Sequence, residues 1–600
     1  MLHIFISNIF CQDSNKVYQL GEVIVKAKLP ASTYLTIPYT SDKISLQTLE
    51  NFALKPVFKS IGEISPGIFV TQRTSLGFGI GPGSAGDVTI RGIGGSPNTQ
   101  ILVLIDGNPQ YMGLMGHPLS DVYSTDKIEE IHVIKGPASA IYGSNAFGGV
   151  IDLKTRKPKN NGLNLALKSF IGSFNTQKYH IGSTYKSEKL SLLFSFRREH
   201  SDGHRKNSEF ELNNWNLNSE YILNDKVSLS AAFVLDDYSV YDPGTEESPK
   251  IDNWADVLRG NSTITLKNWF TTLGGELNLF YNFGEHEIYD GFRSSDNNIG
   301  IRLYQNFSLF NGNVISVGID HKAYGGKAKN RESGISFGRH YLNELAGYIN
   351  FNQDLIDDLS MNAALRIENN SKFGNIFVPQ MGVIYSVGQL TRLKILISKG
   401  FRNPTIRELY LFPFPSPNLI PESVWNYEVS ISTSVLNSVD FNFTTYYLEG
   451  ENIIQVEGVP PNLTYSNSGD LINKGFESAL QWSLYDNLRL NISYSFIDPD
   501  KITMGFPQNK LNVSSNLKID NLDVQISLQY NKKIYGGNNF INRLSDFTLL
   551  SFKSSYKIIK QLLVYFSGEN ILDRDYRIIN GYPMPGISLE FGASYKFSIN

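Results

Sequence analysis

Leu522–Tyr530 reads LDVQISLQY, and its residues fall into two sets. Leu522, Val524, Ile526, Leu528 and Tyr530 lie on one face; Asp523, Gln525, Ser527 and Gln529 lie on the other. Successive side chains of a strand point to opposite sides, so this period of two specifies a strand with one apolar and one polar face. The pattern recurs in Leu488–Phe496 (LRLNISYSF), where Leu488, Leu490, Ile492, Tyr494 and Phe496 oppose Arg489, Asn491, Ser493 and Ser495. It returns from Ile587 to Phe597, where Ile587, Leu589, Phe591, Ala593, Tyr595 and Phe597 oppose Ser588, Glu590, Gly592, Ser594 and Lys596, and an aromatic residue closes the run. Alternating runs of roughly nine to eleven residues match a tilted strand crossing a bilayer. They predict a membrane barrel with lipid outside and a polar lumen inside.

Composition agrees with that reading. The longest apolar run near the front, Ile101–Ile105, is far below the ~18 residues of a membrane helix. A mean hydropathy of −0.20 does not exclude a barrel, whose strands leave no hydropathy peak. The 32 Tyr, 37 Phe and 5 Trp suit aromatic girdles at both interfaces. One cysteine rules out a disulfide framework, and a net charge of −3 makes no electrostatic case for nucleic acid. No repeat of fixed 40–50-residue period marks a propeller. Tight turn signals such as Asn224-Asp225 and Asp486-Asn487 alternate with longer polar loops, as periplasmic turns and extracellular loops do.

The chain divides near residue 160. Residues 1–11 hold a short apolar run, LHIFISNIF before Cys11, which reads as a signal segment lacking its basic start. Residues 12–44 form a polar tail, 45–157 mix short strands, Gly-rich turns and a possible helix over Leu46–Ile64, and 158–600 repeat the alternating pattern. About 22 strands use the last part at ~20 residues each, and a lumen of that width needs a plug. Residues 45–157 have a suitable size. The expected fold is an all-β membrane protein: a 22-stranded antiparallel transmembrane β-barrel with a small α+β N-terminal plug domain inside the lumen.

Four stretches carry a family resemblance. They are Asp87-Val-Thr-Ile-Arg91-Gly92-Ile-Gly94-Gly95, Ile101-Leu-Val-Leu-Ile-Asp106-Gly107, Ile128-Glu129-Glu130-Ile-His-Val-Ile-Lys135-Gly136-Pro137, and Ala140-Ile-Tyr142-Gly143-Ser144-Asn145-Ala146-Phe-Gly148-Gly149-Val-Ile151. In order and spacing they resemble the plug of TonB-dependent outer-membrane receptors. Gly400-Phe-Arg402-Asn403-Pro404-Thr405, Glu408-Leu-Tyr410, Pro421-Glu422, Asn570-Ile-Leu-Asp573-Arg574 and Tyr582-Pro583-Met-Pro585-Gly586 resemble the barrel of the same family. The resemblance implies a receptor in the outer membrane of a Gram-negative bacterium. Its ligand is an iron chelate (siderophore or haem) or, alternatively, cobalamin, and TonB in the periplasm energises uptake. It implies no enzymatic activity and no cofactor. A passive porin and an outer-membrane hydrolase are the readings from other classes; the first has no use for a 110-residue plug, and the second would use a smaller barrel.

The resemblance also implies site residues. Glu22, Val23, Ile24, Val25, Lys26 and Ala27, within Leu20–Ala27, correspond in position to a TonB box, which would add a strand to a sheet edge on its partner. Arg91 and Glu129 or Glu130 are candidates to lock the plug to charges on the barrel wall. The plug starts and ends near the periplasm, so its long Gly-rich excursions, Thr74–Gly83 and Gln110–Pro118, are expected to reach outward. They offer Phe78, Tyr111, Met112, Met115 and His117 as ligand contacts, in loops expected to pack little core. His200 and His204, spaced H-x-x-x-H, are candidate metal contacts in an extracellular loop. Gly81-Pro82-Gly83-Ser84-Ala85-Gly86 fits a dinucleotide-binding spacing, but the strand-like Asp87–Ile90 follows where that fold needs a helix.

Overall fold

The computed structural model describes residues 38–45, 55–74, 76–77, 86–94, 97–436, 438–459, 462–501, 505–536 and 542–599. The plug contributes β1 (Thr40–Ser45), β2 (Ile68–Val70), β3 (Val88–Ile90), β4 (Ile101–Ile105), β5 (Asn108–Pro109), β6 (Ile128–Lys135) and β7 (Gly149–Thr155). Five of these form one sheet in the order β1-β6-β7-β4-β5, and β2 pairs with β3 apart from it. Both faces of the sheet are buried. Ile101 and Val103 of β4 join Ile131, Val133, Ile151 and Leu153 in a core closed by Val57, Phe58 and Ile61 of the helix Val57–Ile64. Leu102 and Leu104 point the other way, with Ile134 and Val150. A strand covered on both sides has no reason to alternate, which accounts for the unbroken ILVLI run. The helix starts at Val57, inside the stretch expected to be helical, and β1 already belongs to the plug sheet, within the stretch assigned to the tail.

Residues 162–599 form a closed antiparallel barrel of 22 strands. The last strand, Ser588–Ile599, pairs with the first, Gly162–Gly172, so that Glu590 faces Gly172 and Ile599 faces Leu163. Closure leaves no unpaired strand edge in lipid. The period of two sorts the last strand as expected: Leu589, Phe591, Tyr595 and Phe597 are 43–52% exposed towards the bilayer, while Ser594 is 1% exposed.

The two ends of the barrel differ. At one end the connections are short, such as Asp225-Lys226, Asp486-Asn487, Asp520-Asn521 and Lys560-Gln561. The plug leaves at this end, where Lys157 pairs with Glu220 at 3.1 Å, close to the Asp225-Lys226 turn. The other end carries the long loops 242–253, 403–421, 533–546 and 570–587. Short turns with the plug's exit mark the periplasmic rim, and the long loops are extracellular.

Candidate functional site

Two regions between plug and barrel gather functional side chains. The first lies deep in the lumen. β3 ends in a left-handed turn, with φ 54° at Arg91 and 73° at Gly92. A Cβ on Gly92 would sit 2.6 Å from Ile497 Cδ1 and 2.9 Å from Asn473 Nδ2, so only glycine fits. The turn drives Arg91 into the wall. Its Nη1 donates to Glu428 Oε2 at 2.5 Å, its Nε donates to Glu477 Oε1 at 3.0 Å, and its guanidinium lies 4.4 Å from the Tyr446 ring centroid. Lys135 of β6 bridges Glu477 (3.2 Å) and Asp42 of β1 (2.9 Å). The Arg91 side chain is wholly buried. Burial opposes its charge, but Glu477 and Glu428 outweigh that and raise its pKa above the ordinary arginine value.

Glu129 and Glu130 do not share this arrangement. Glu130 pairs with Lys43 at 2.6 Å and contacts His132, and Glu129 pairs with Lys159 at 2.8 Å and accepts from the Lys157 amide. These bonds hold β6 to β1 and to the linker rather than to the wall. The register of β6 against β7 shifts between Ile128 and Glu130. Ile131 and Val133 then take the core side and Glu130 the opposite one. The pattern around Lys135-Gly136 held a better clue, since Lys135 reaches Glu477.

The second region is the plug's outer loop 110–118. Gly116 N donates to Met112 O (2.8 Å) and Met112 N to His117 O (3.1 Å), which folds the loop into a compact turn. The barrel grips its backbone: Asn282 Nδ2 donates to Pro109 O (2.7 Å), Gly113 N to Asp296 Oδ1 (2.7 Å), and Arg407 N to Leu114 O (3.0 Å). The Tyr111 and Tyr324 rings meet edge to face at 5.9 Å.

Contrary to the expectation of an open loop with little core, Tyr111, Met112, Met115 and His117 are only 6, 1, 4 and 9% exposed. The cause is barrel loop 403–421, which folds inward over them. Its helix Ile406–Tyr410 begins with a capping box: Glu408 N donates to Thr405 Oγ1 (3.2 Å) and Thr405 N to Glu408 Oε2 (2.7 Å). Ile406 and Leu409 pack into the same cluster as Leu114 and Met115. Above the cluster stands a set of aromatic and basic groups that the sequence reading did not single out. Phe412 meets Phe292 at 4.8 Å, Tyr410 stacks on His340 at 4.4 Å, and Phe414 meets Tyr465 at 6.0 Å. Lys372 lies 5.4 Å from the Tyr410 centroid and Arg407 5.6 Å from that of Phe412. Loop 570–587 closes the opposite side, burying Ile578, Tyr582 and Met584, and Arg73 of the plug bonds Asp242 and Tyr582.

Phe78, residues 81–85 and the segment Glu22–Ala27 lie outside the described residues. His200 and His204 are engaged by different partners, Asp202 (3.0 Å) and the Pro583 carbonyl (2.8 Å). No cluster of three His, Cys, Asp or Glu suited to a metal occurs among the described residues.

Burial lowers the His117 pKa to about 3, so this imidazole is neutral while the loop is seated. The unfolded value is about 6.5. A depressed folded pKa gives stability that is complete above the unfolded value and is lost as pH falls towards 3. The loop's seat is expected to weaken by about 2 kcal/mol between pH 7 and pH 5. Hydrogen exchange of residues 110–118 should quicken over that range, and His117→Gln should remove the pH dependence. Equal protection at both pH values in the parent protein would refute this.

Two family models match. One, "TonB-dependent Receptor Plug Domain", covers residues 34–150; the other, "TonB dependent receptor-like, beta-barrel", covers residues 154–571. Among curated relatives, the iron-regulated outer membrane virulence protein of Vibrio cholerae is 23% identical over 552 residues, 84% of this chain and 81% of its own. The vitamin B12 transporter BtuB of Photobacterium profundum is 23% identical over 568 residues, 90% of each chain. Among solved structures, the siderophore receptor PirA from Acinetobacter baumannii superposes with a TM-score of 0.78 at 16% identity, covering 94% of this chain and 98% of that one. At that identity the likeness is one of fold.

Proposed function

The chain belongs to the TonB-dependent receptors of the outer membrane, and from that premise we propose that its cargo is an iron chelate, a siderophore or haem. The observation that carries this reading is the set of aromatic and basic groups over the plug's outer loop. Half-buried Tyr410, Phe414 and Tyr465 stand with Arg407 and exposed Lys372 at the extracellular mouth. Aromatic faces and cations together suit a bulky ligand with aromatic rings and negatively charged oxygens. Tyr111, Met112, Met115 and His117 lie one layer below and meet the ligand once loop 403–421 lifts. The named functions of the iron-regulated relative and of the siderophore receptor agree with this reading. Cobalamin is the second reading, favoured by the match to the vitamin B12 transporter over 90% of both chains.

The test is binding and uptake in cells stripped of their own receptors, with a ferric tricatecholate, haemin and cyanocobalamin as separate probes. An iron probe is expected to bind and enter. Combined Arg407→Ala and Lys372→Ala should weaken its binding by roughly tenfold or more, as loss of one to two good contacts does. Uptake of cyanocobalamin alone would overturn the iron reading in favour of the second. We further assign the capture of TonB to Glu22–Ala27.

A further inference from the structure

The strands Phe292–Phe307, Asn313–Asn330 and Ser336–Ile356 are neighbours in the barrel, and their register sorts side chains to the lumen or to the outside. Lys322 and Tyr324 point into the lumen, where both reach Glu344, at 2.6 and 2.8 Å. Alternation then turns Lys327 and Lys329 outward. Lys327 lies directly opposite Ser295 on one side and Arg339 on the other, and Lys329 lies opposite Arg293. Lys327, Lys329 and Arg339 are all exposed.

Their depth follows from the residues beneath them. Tyr341, opposite Gly325, is 44% exposed, and its hydroxyl accepts from Asn297 Nδ2 at 3.2 Å. An exposed tyrosine with a bonded hydroxyl marks the level where hydrocarbon gives way to headgroups. Below it the outward positions are Ile299, Ile301, Leu345 and Ile349, 40–54% exposed. Lys327 and Arg339 stand two residues above the tyrosine level, about 7 Å further along the strand. They point outward at headgroup depth, at the barrel end opposite the short 308–312 connection.

The charges at this level do not balance. Arg293 pairs with Glu285 at 3.0 Å and Arg331 with Glu287 at 2.9 Å. Lys327, Lys329 and Arg339 have no carboxylate partner among the described residues. Like charges directly opposite one another on paired strands repel and destabilise the pair. Lys327 and Arg339 are placed in that way. An anion set between them replaces the repulsion with two charge-assisted hydrogen bonds.

We propose that Lys327, Lys329 and Arg339 form a docking site on the outside of the wall for a doubly phosphorylated glycolipid of the outer leaflet, of the lipid A kind. One phosphate lies between Lys327 and Arg339, and Lys329 takes the second. The acyl chains run down over Ile299, Ile301 and Leu345. Free phosphate satisfies the cations but gains nothing from the apolar rows, and an uncharged lipid does the reverse. A molecule with both parts uses the whole face. The site faces away from the lumen, so it does not depend on which cargo the receptor imports.

The experiment uses the full-length protein, purified in mild detergent and stripped of lipid. The probes are diphosphorylated lipid A, enzymatically dephosphorylated lipid A, phosphatidylglycerol and inorganic phosphate, and binding is read by native mass spectrometry and by the shift in thermal unfolding. The parent is expected to bind diphosphorylated lipid A about tenfold or more tighter than a Lys327→Gln, Lys329→Gln, Arg339→Gln variant, as loss of charge-assisted bonds to phosphate implies. Dephosphorylated lipid A should bind both proteins equally, and excess phosphate should not displace the lipid. Lys474→Gln combined with Arg198→Gln removes two other exposed cations, each already paired with a carboxylate, and should leave binding within twofold of the parent. Arg339→Gln alone should weaken binding about threefold, which keeps the test open if the triple variant does not migrate as a folded, heat-modifiable barrel. Equal binding of diphosphorylated lipid A by parent and variant, or equal binding of phosphatidylglycerol and lipid A by the parent, overturns the site. Displacement by inorganic phosphate makes it a simple anion site and overturns the lipid. A lipid-free parent that dimerises through this face, with the triple variant monomeric, gives the cations to a second copy and also overturns it.

Discussion

Arg91→Ala is expected to loosen the seated plug by about 3–5 kcal/mol, because it leaves Glu428 buried without its cation and Glu477 with Lys135 alone. The barrel should remain, since its strands pair without help from Arg91. Cells producing the variant should become sensitive to large antibiotics that the intact envelope excludes. Limited proteolysis should cut the plug and spare the barrel. The cost comes from stranded charge, so adding Glu428→Gln and Glu477→Gln to Arg91→Ala should recover most of the loss. An Arg91→Ala protein with a protease-resistant plug and an unchanged antibiotic barrier would remove Arg91 from any role in holding the plug.

Val23→Pro, and separately Ile24→Pro, should abolish uptake while leaving binding at the cell surface within twofold of the parent. Proline removes a backbone donor and fixes φ, so the segment can no longer pair as a strand with a partner's sheet edge. Conservative Val23→Ile should transport normally, which separates strand pairing from a general intolerance of change. Lost binding in either proline variant, or normal uptake in both, would show that energy enters elsewhere.

The barrel was legible because lipid imposes one rule on every strand. Leu522–Tyr530 must present apolar groups outward at every second position whatever its neighbours are, so nine residues suffice to see it. Arg91 was legible as a charge fixed beside an obligatory glycine. Its partners were not. Glu428 and Glu477 lie 337 and 386 residues further on, in strands whose inward faces are polar almost throughout. Nothing in one strand marks which inward carboxylate meets a plug. The outer loop shows the same limit from another side. Its glycines announced an excursion, but the cover formed by 403–421 arises from packing across the lumen. Glu129 and Glu130 were misplaced because a register shift in β6 decides which way they face.

The seam between Gly162–Gly172 and Ser588–Ile599 also bears on how the molecule is assembled. Each of the other strand pairs joins neighbours in the chain, apart from the step across loop 570–587. Turns of a few residues bring neighbouring strands together locally, whereas this seam joins strands more than 400 residues apart and forms only once the sheet between them has curved round. Until that step the growing sheet has two open rims and no interior. The N-terminal plug is made before any wall and waits for its enclosure. A chain lacking its last strand would therefore keep most of its hairpins, yet possess neither an inside nor a place for Arg91 to bind.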